Sequence, residues 1–221
     1  VDENMVKDAL HDQGLDTKPI VEWSETELKQ FAQQLRKTSK KMIIAANKAD
    51  VPGADMNIRN LKKQFPDYLI IACSAESELA LREAHKKGLI DYVPGYRDFK
   101  ILKPGELTDK QNKALEFIQT NVLDKFGSTG VQDVINKAVF ELLGYIALFP
   151  VATSKLTDQK GNVLPDCLIV PGNINPREFA YKIHSDIGDK FIKAINLRTK
   201  LPVAKDSALN NLDVIEVVTG R

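Results

Sequence analysis

Two short, unbroken apolar runs constrain this chain more than any other feature: Met42-Ile43-Ile44-Ala45-Ala46 and Tyr68-Leu69-Ile70-Ile71-Ala72-Cys73. Each is of strand length and bounded by polar residues, which suits a strand covered on both faces of a sheet. The sequence between them reads as helical over residues 55–65, where Ile58, Leu61 and Phe65 recur on one face. Val51-Pro52-Gly53 and Pro66-Asp67 punctuate its two ends. A second helix is expected over residues 77–87, ending at Gly88. Strand, helix, strand, helix with short connections specifies a parallel βαβ unit.

In an open α/β sheet the loops at the carboxyl ends of the strands face the ligand crevice. The loop after the first run is Asn47-Lys48-Ala49-Asp50. An aspartate there can accept two hydrogen bonds from guanine, one from the ring N–H and one from the exocyclic amine. Adenine lacks that pair of donors, and a site built for buried hydrogen bonds rejects a partner that leaves them unmade. The Lys48 stem can lie along the flat base while its ammonium stays in water, and the Asn47 amide can tie neighbouring loops together. Taken alone, the tetrapeptide fits equally a polar loop in which Asp50 caps a helix. The loop after the second run, Ser74-Ala75-Glu76, shifts the balance towards base reading. It lies beside the first loop, and a backbone N–H at the small Ala75 can donate to the guanine carbonyl oxygen. Ser74 also reads as an ordinary N-cap for the next helix.

These two loops resemble the guanine-specificity loop and the following Ser-Ala loop of translation-factor-type GTPases. The wider chain resembles the archaeal branch of the Obg-related, YchF-type GTPases, through residues 42–50, through Gly127-Ser128-Thr129-Gly130-Val131-Gln132 and through its C-terminal module. In that module, Leu164-Pro165-Asp166-Cys167 and Phe179-Ala180-Tyr181-Lys182-Ile183-His184-Ser185-Asp186-Ile187-Gly188 resemble the TGS domain, a ubiquitin-like β-grasp fold. The resemblance implies an α/β fold class: the C-terminal part of a P-loop GTPase parallel sheet with helices, then a TGS β-grasp domain. It implies a layout in which residues 1–40 end a helical insertion, residues 41–148 complete the GTPase domain with following helices, and residues 149–221 form the TGS domain. It further implies GTP or GDP as ligand, with Asn47, Lys48, Asp50, Ser74 and Ala75 around the base, and work alongside the ribosome or translation machinery. Many members outside the archaeal branch depart from Asn-Lys-x-Asp and prefer ATP, so Lys48 and Asp50 argue for GTP here.

No G-x-x-x-x-G-K-[ST] occurs in the chain. Without it there is no backbone cradle for the β- and γ-phosphates and no Ser or Thr for Mg²⁺. Hydrolysis is therefore expected of the intact protein and not of this polypeptide alone, with Mg²⁺ held through a missing phosphate-binding half. The start at Val1, in polar helical sequence, reads as a truncation.

Elsewhere, Ser24 with Glu27 and Thr108 with Gln111 each read as a capping box opening a helix. Residues 131–146 read as one helix with a wide apolar stripe, largely buried and stopped by Phe149-Pro150. Residues 151–156 and 163–170 read as strands of a hairpin around residues 157–162, Asn175 as the cap of a short helix with Pro176 first, and residues 191–197 and 213–218 as later strands.

The net charge of +1 gives no whole-molecule field to attract a partner, DNA included. A local basic run does exist: Lys190, Lys193, Arg198, Lys200 and Lys205 have no acid among them. It reads either as an RNA-phosphate contact or as a solvated surface. His184-Ser185-Asp186 reads as a turn with Ser185 or Asp186 capping the next element, since catalytic triads assemble in space and not as neighbours in sequence. Tyr92, Tyr96 and Phe99 read as cover for a core edge, with a stacking surface as the other option. Cys73 and Cys167 sit in apolar stretches and read as buried free thiols, and the three histidines lack metal-ligand spacing. No apolar run approaches the roughly 20 residues that span a bilayer. With no targeting segment either, cytoplasm is the expectation by elimination. The alternative to a nucleotide-binding function is a TGS-based RNA or protein adaptor whose nucleotide site is vestigial.

Overall fold

The computed structural model describes residues 1–151, 156, 162–164 and 166–220, in two compact units, Val1–Ala138 and Val139–Arg221. Unit 1 opens with two helices packed on each other, α1 (Glu3–Asp12) and α2 (Glu25–Ser39). Ser24 closes the expected capping box with Glu27. Then come β1 (Ile43–Ala46), α3 (Ala54–Gln64), β2 (Leu69–Ala72) and α4 (Ala75–Lys86). β1 and β2 pair in parallel, Ile43 opposite Leu69 through Ala46 opposite Ala72. The βαβ unit expected from the apolar runs is therefore present.

The expectation that β1 is covered on both faces is not met. Ala45 is exposed and the rest of the strand only half-buried. Among the described residues β1 and β2 form a sheet of two strands, so neither outer edge of the pair carries a further ladder there.

Beyond α4, β3 (Ile90–Asp91) and β4 (Lys100–Ile101) form a minimal antiparallel pair inside a stretch that reads as irregular in sequence. α5 (Asp109–Ile118) starts at the Thr108/Gln111 capping box and continues through a π-turn, Gln119–Leu123, into α6 (Asp124–Phe126). Gly127 ends it at φ +85°, a conformation that costs glycine alone little. The core of this unit gathers Leu81, Leu89, Ile90, Tyr92, Leu115, Ile118 and Leu123, with Phe99 packed against it. Tyr92 and Phe99 thus cover core as expected, whereas Tyr96 is 60% exposed.

α7 (Val131–Asn136) continues as a π-helical stretch, Lys137–Leu142, and there the helix stops. The single buried helix expected over residues 131–146 is wrong on two counts. Ile135 is 51% and Leu143 52% exposed, and residues from Tyr145 onward are strand. Gly144, at φ +67°, breaks the helix. β5 (Tyr145–Val151) then gains ladders on both edges, a tertiary reward that a short apolar run cannot announce in sequence.

Unit 2 contains β5, β6 (Leu168–Pro171), α8 (Pro176–Ile183), α9 (Ser185–Asp189), β7 (Phe191–Asn196), β8 (Leu201–Val203) and β9 (Val214–Thr219). The sheet order is β6-β5-β9-β7-β8, with β5 and β9 parallel at its centre and the other pairs antiparallel. α8 starts at an Asn175/Glu178 capping box with Pro176 at its first position. It sends Phe179, fully buried, into a core with Leu148, Val170, Ala194 and Ile215. This is the β-grasp arrangement that the sequence implies. The expected hairpin turn falls largely on residues 157–161, outside the described residues, as does Pro165 of the Leu164–Cys167 stretch. Cys73 is buried as expected, but Cys167 is exposed: it precedes β6 and its neighbour Asp166 is also at the surface.

Candidate functional site

The carboxyl ends of β1 and β2 place the two sequence-predicted loops side by side. Backbone bonds stitch them together: the Cys73 N–H donates to Ala46 O and the Ala49 N–H to Cys73 O, both at 3.0 Å. Asn47 completes the seam. Its Oδ1 accepts from the Lys48 N–H at 2.8 Å and from the Ala75 N–H at 3.1 Å. The bracing expected of Asn47 is visible as geometry. The Ala75 donor, expected to face a base carbonyl, is held by Asn47 in this structure.

Lys48 adopts φ +63°, a left-handed conformation uncommon outside glycine and concentrated where function or a tight turn demands it. This turns the chain so that Ala49 is buried at 1% exposure while Lys48 stays exposed and Asp50 half-buried. Among the described residues, the Asp50 carboxylate makes no hydrogen bond or ion pair. It is also not a helix cap. α3 begins at Ala54 with Gly53, at φ +83°, as its N-cap residue, so the capping alternative for Asp50 falls away. A cleft of about 350 Å³ opens beside the loop, lined by Asn47, Lys48, Val51, Pro52 and Ile58 among others, but not by Asp50 or Ala75.

Ser74 is 1% exposed. Its Oγ accepts the Ser77 N–H and lies 2.8 Å from the Ser77 hydroxyl. The N-cap reading of Ser74 is thus realised, and its side chain is committed inside the protein. Its N–H donates to Thr129 O at 2.8 Å, which brings a third loop, Gly127 to Gly130, against the second.

Behind that loop lies a buried carboxylate that sequence reasoning missed. Glu78, 4% exposed, accepts from the Thr129 hydroxyl at 2.6 Å, the Tyr92 hydroxyl at 2.7 Å and Arg82 Nε at 2.6 Å. Burial pushes its carboxyl up, but the two hydroxyls and the guanidinium outweigh burial and hold it below the usual glutamate value. For Tyr92, burial and then the Glu78 carboxylate push the phenol up to about 12. Its raised value means that the associated stability is intact up to the unfolded value near 10 and is lost as pH climbs towards 12. Near-ultraviolet phenolate absorbance is expected to show a late-titrating step that is absent in Tyr92→Phe. Burial also pushes the Cys73 thiol up.

The basic residues of unit 2 are not brought to one point. Lys190 and Lys193 sit at the start of β7, Arg198 and Lys200 in the turn beyond its end. At about 3.3 Å per strand residue, the two pairs are separated by roughly 20 Å. All four are exposed, but Arg198 Nε donates to Leu212 O at 2.7 Å, which gives that side chain a structural role. His184 caps α9 by accepting the Asp186 N–H at 3.2 Å, so the capping expected of Ser185 or Asp186 belongs to the histidine. Among the described residues, no three His, Cys, Asp or Glu side chains converge to hold a metal ion. No described helix is long and apolar enough to cross a membrane.

Residues 45–153 match the family described as Obg-like GTPase YGR210-like, G4 motif-containing domain, and residues 156–219 match the TGS domain. An uncharacterised GTP-binding protein of Methanocaldococcus jannaschii is 44% identical over 220 residues, covering 99% of this chain and 54% of the relative. An uncharacterised GTP-binding protein of Schizosaccharomyces pombe is 35% identical over 176 residues, 75% of this chain and 41% of its own length. The chain thus spans about half the length of the curated relatives it matches. The solved structure of a GTP-binding protein from Pyrococcus horikoshii OT3 superposes with a TM-score of 0.73 at 40% identity, covering all of this chain and 57% of that one. The Schizosaccharomyces pombe YchF GTPase shares the fold at a TM-score of 0.51 and 14% identity, over 98% of this chain and 54% of that one. With the parallel strand pair of unit 1 and the β-grasp of unit 2, these matches show that the chain holds the G4 motif-containing domain of the YGR210-like, Obg-like GTPase family followed by a TGS domain, and is homologous to GTP-binding proteins.

Proposed function

We propose that this chain carries the base-reading half of a guanine-nucleotide site, in a protein that binds GTP and, when intact, hydrolyses it in company with the translation machinery. The observation that carries this reading is the half-buried Asp50 carboxylate, without a partner among the described residues, beside the Ala75 loop on a turn locked by Asn47. A carboxylate held there has two acceptor oxygens for the guanine N1–H and 2-amine. The Ala75 N–H, released from Asn47 or shared with it, meets the carbonyl at position 6. Adenine presents an amine at position 6 and no N1–H, so it meets a donor with a donor and leaves Asp50 unpaired. Lys48, exposed on its left-handed turn, lays its stem along the base. The phosphates and Mg²⁺ fall to residues outside this chain, and no step of phosphate chemistry is assigned to its side chains. The TGS unit is the part that meets an RNA or protein partner, with Lys190, Lys193, Arg198 and Lys200 among its exposed cations.

The test is calorimetric titration of GTP, GDP and ATP, with Mg²⁺, into the full-length protein that contains this chain and into its Asp50→Ala variant. Guanine preference in the parent and about 10²-fold weaker guanine binding in the variant are expected, with ATP little changed. No preference in the parent, or an unaffected variant, would move the TGS unit to the front as an adaptor.

A further inference from the structure

The loops that read the base are held from behind by a closed ring of three buried hydrogen bonds. The Ser74 N–H donates to Thr129 O at 2.8 Å. The Thr129 hydroxyl donates to the Glu78 carboxylate at 2.6 Å. The Glu78 N–H donates back to Ser74 O at 3.1 Å. All three residues are at most 4% exposed. A carboxylate in so dry a place is tolerable only with its lone pairs filled. Arg82 and Tyr92 complete that filling from outside the ring, and a fully satisfied buried network is rigid.

The ring constrains one peptide plane in particular. Ser74 C=O and the Ala75 N–H belong to the same planar trans amide, so they point in opposite directions and turn together. Fixing Ser74 O on the Glu78 N–H therefore fixes the direction of the Ala75 N–H, on which Asn47 Oδ1 rests at 3.1 Å until a base carbonyl shares or takes that donor. Gly130 seats the third loop close enough for this: a Cβ there would lie 1.9 Å from Ala72 O.

We infer that Thr129 and Glu78 are positioning residues for base discrimination: through this ring they aim the Ala75 N–H at position 6 of a purine, so that a carbonyl is accepted there and an amine refused. The inference rests on the base-reading function proposed for Asp50 and Ala75. Neither residue touches the nucleotide. What they supply is a donor whose direction does not relax to suit the wrong base, since a donor free to swing would lose part of its selectivity.

The test measures GTP and ATP affinity by competition against labelled GDP, in the full-length protein and in Thr129→Val, Thr129→Ser, Glu78→Gln and Asp50→Ala. Thr129→Val keeps the volume and removes the hydroxyl. It is expected to weaken GTP about 10-fold, the loss of one well-aimed hydrogen bond, with ATP unchanged. Thr129→Ser keeps the hydroxyl and is expected to restore the GTP-to-ATP ratio. Glu78→Gln is expected to shift the ratio in the same direction by less, and decides the matter if Thr129→Val does not fold. Equal weakening of GTP and ATP, or an unchanged ratio in folded Thr129→Val, would mean that the ring only stabilises the fold and would overturn the inference. If Asp50→Ala abolishes guanine preference while Thr129→Val leaves it intact, the positioning role alone fails. If the parent shows no guanine preference, the base reading fails and this inference with it.

Discussion

Gly130→Ala is expected to destabilise unit 1 by about 3–5 kcal/mol, a large effect for one methyl group. Two independent faults add. The residue sits at φ +77°, where an L side chain costs about 1–2 kcal/mol. The new Cβ would also lie 1.9 Å from Ala72 O and 2.9 Å from Cys73 Cα. Both are backbone atoms and cannot rotate away. Ala72 is the last rung of the β1–β2 ladder, opposite Ala46, so yielding there would spread the two strands where their following loops leave them. Gly127→Ala is the built-in control. It shares the left-handed backbone, at φ +85°, but its Cβ would meet nothing within 4 Å, so only the conformational cost of about 1–2 kcal/mol applies. In thermal denaturation the Gly130 variant is expected to melt about 10 °C lower than the parent and the Gly127 variant only a few degrees lower. Equal losses would show that the approach to Ala72 is not what requires a glycine at position 130.

The strands and helices of unit 1, and the placement of the two loops after its paired strands, were legible because their signals are local. An apolar run, a breaker and a capping box all lie within a few residues of what they specify, and the Ser24 and Thr108 boxes and the Asn175 cap each form as read. The support behind the site was not legible for the opposite reason. In sequence, Glu78 and Arg82 are four apart on a helix and look like an ordinary exposed ion pair. Glu78 is buried because Tyr92 and Thr129 reach it from 14 and 51 residues away, and no local pattern records such an arrival. The helix expected over residues 131–146 failed in a related way. Its last turn was claimed by β6 and β9, partners distant in sequence. The basic run of unit 2 looked like one cluster because its residues are close in sequence, yet an extended strand is the conformation that holds such residues furthest apart. Asp50 lies between these cases. Its residue type and position were read from sequence, but that it caps no helix and has no partner among the described residues required the coordinates.

Asp50→Asn is expected to do more than weaken guanine binding: it should exchange the preferred base. The carboxylate offers acceptors only, matched to the two donors of guanine, N1–H and the 2-amine. An asparagine offers one acceptor and one donor. Against guanine its amide nitrogen meets the 2-amine, donor to donor, and the negative charge that strengthened both bonds is gone. Affinity for guanine nucleotides should fall about 10²–10³-fold, the scale on which sites built around buried hydrogen bonds reject a mismatched partner. Xanthine keeps N1–H but carries a carbonyl in place of the 2-amine. The asparagine oxygen can accept from N1–H while its amide donates to that carbonyl, so both bonds are restored. Adenine should not profit, because its 6-amine still confronts the Ala75 N–H. Competition of GTP, xanthosine triphosphate and ATP against a labelled guanine nucleotide, in the full-length protein, separates these possibilities. Preference passing from guanine to xanthine assigns the 1,2-edge of the base to Asp50 and leaves position 6 to Ala75. A gain for ATP would mean that Ala75 does not read position 6. An equal loss for every nucleotide would mean that Asp50 shapes the loop and does not touch the base.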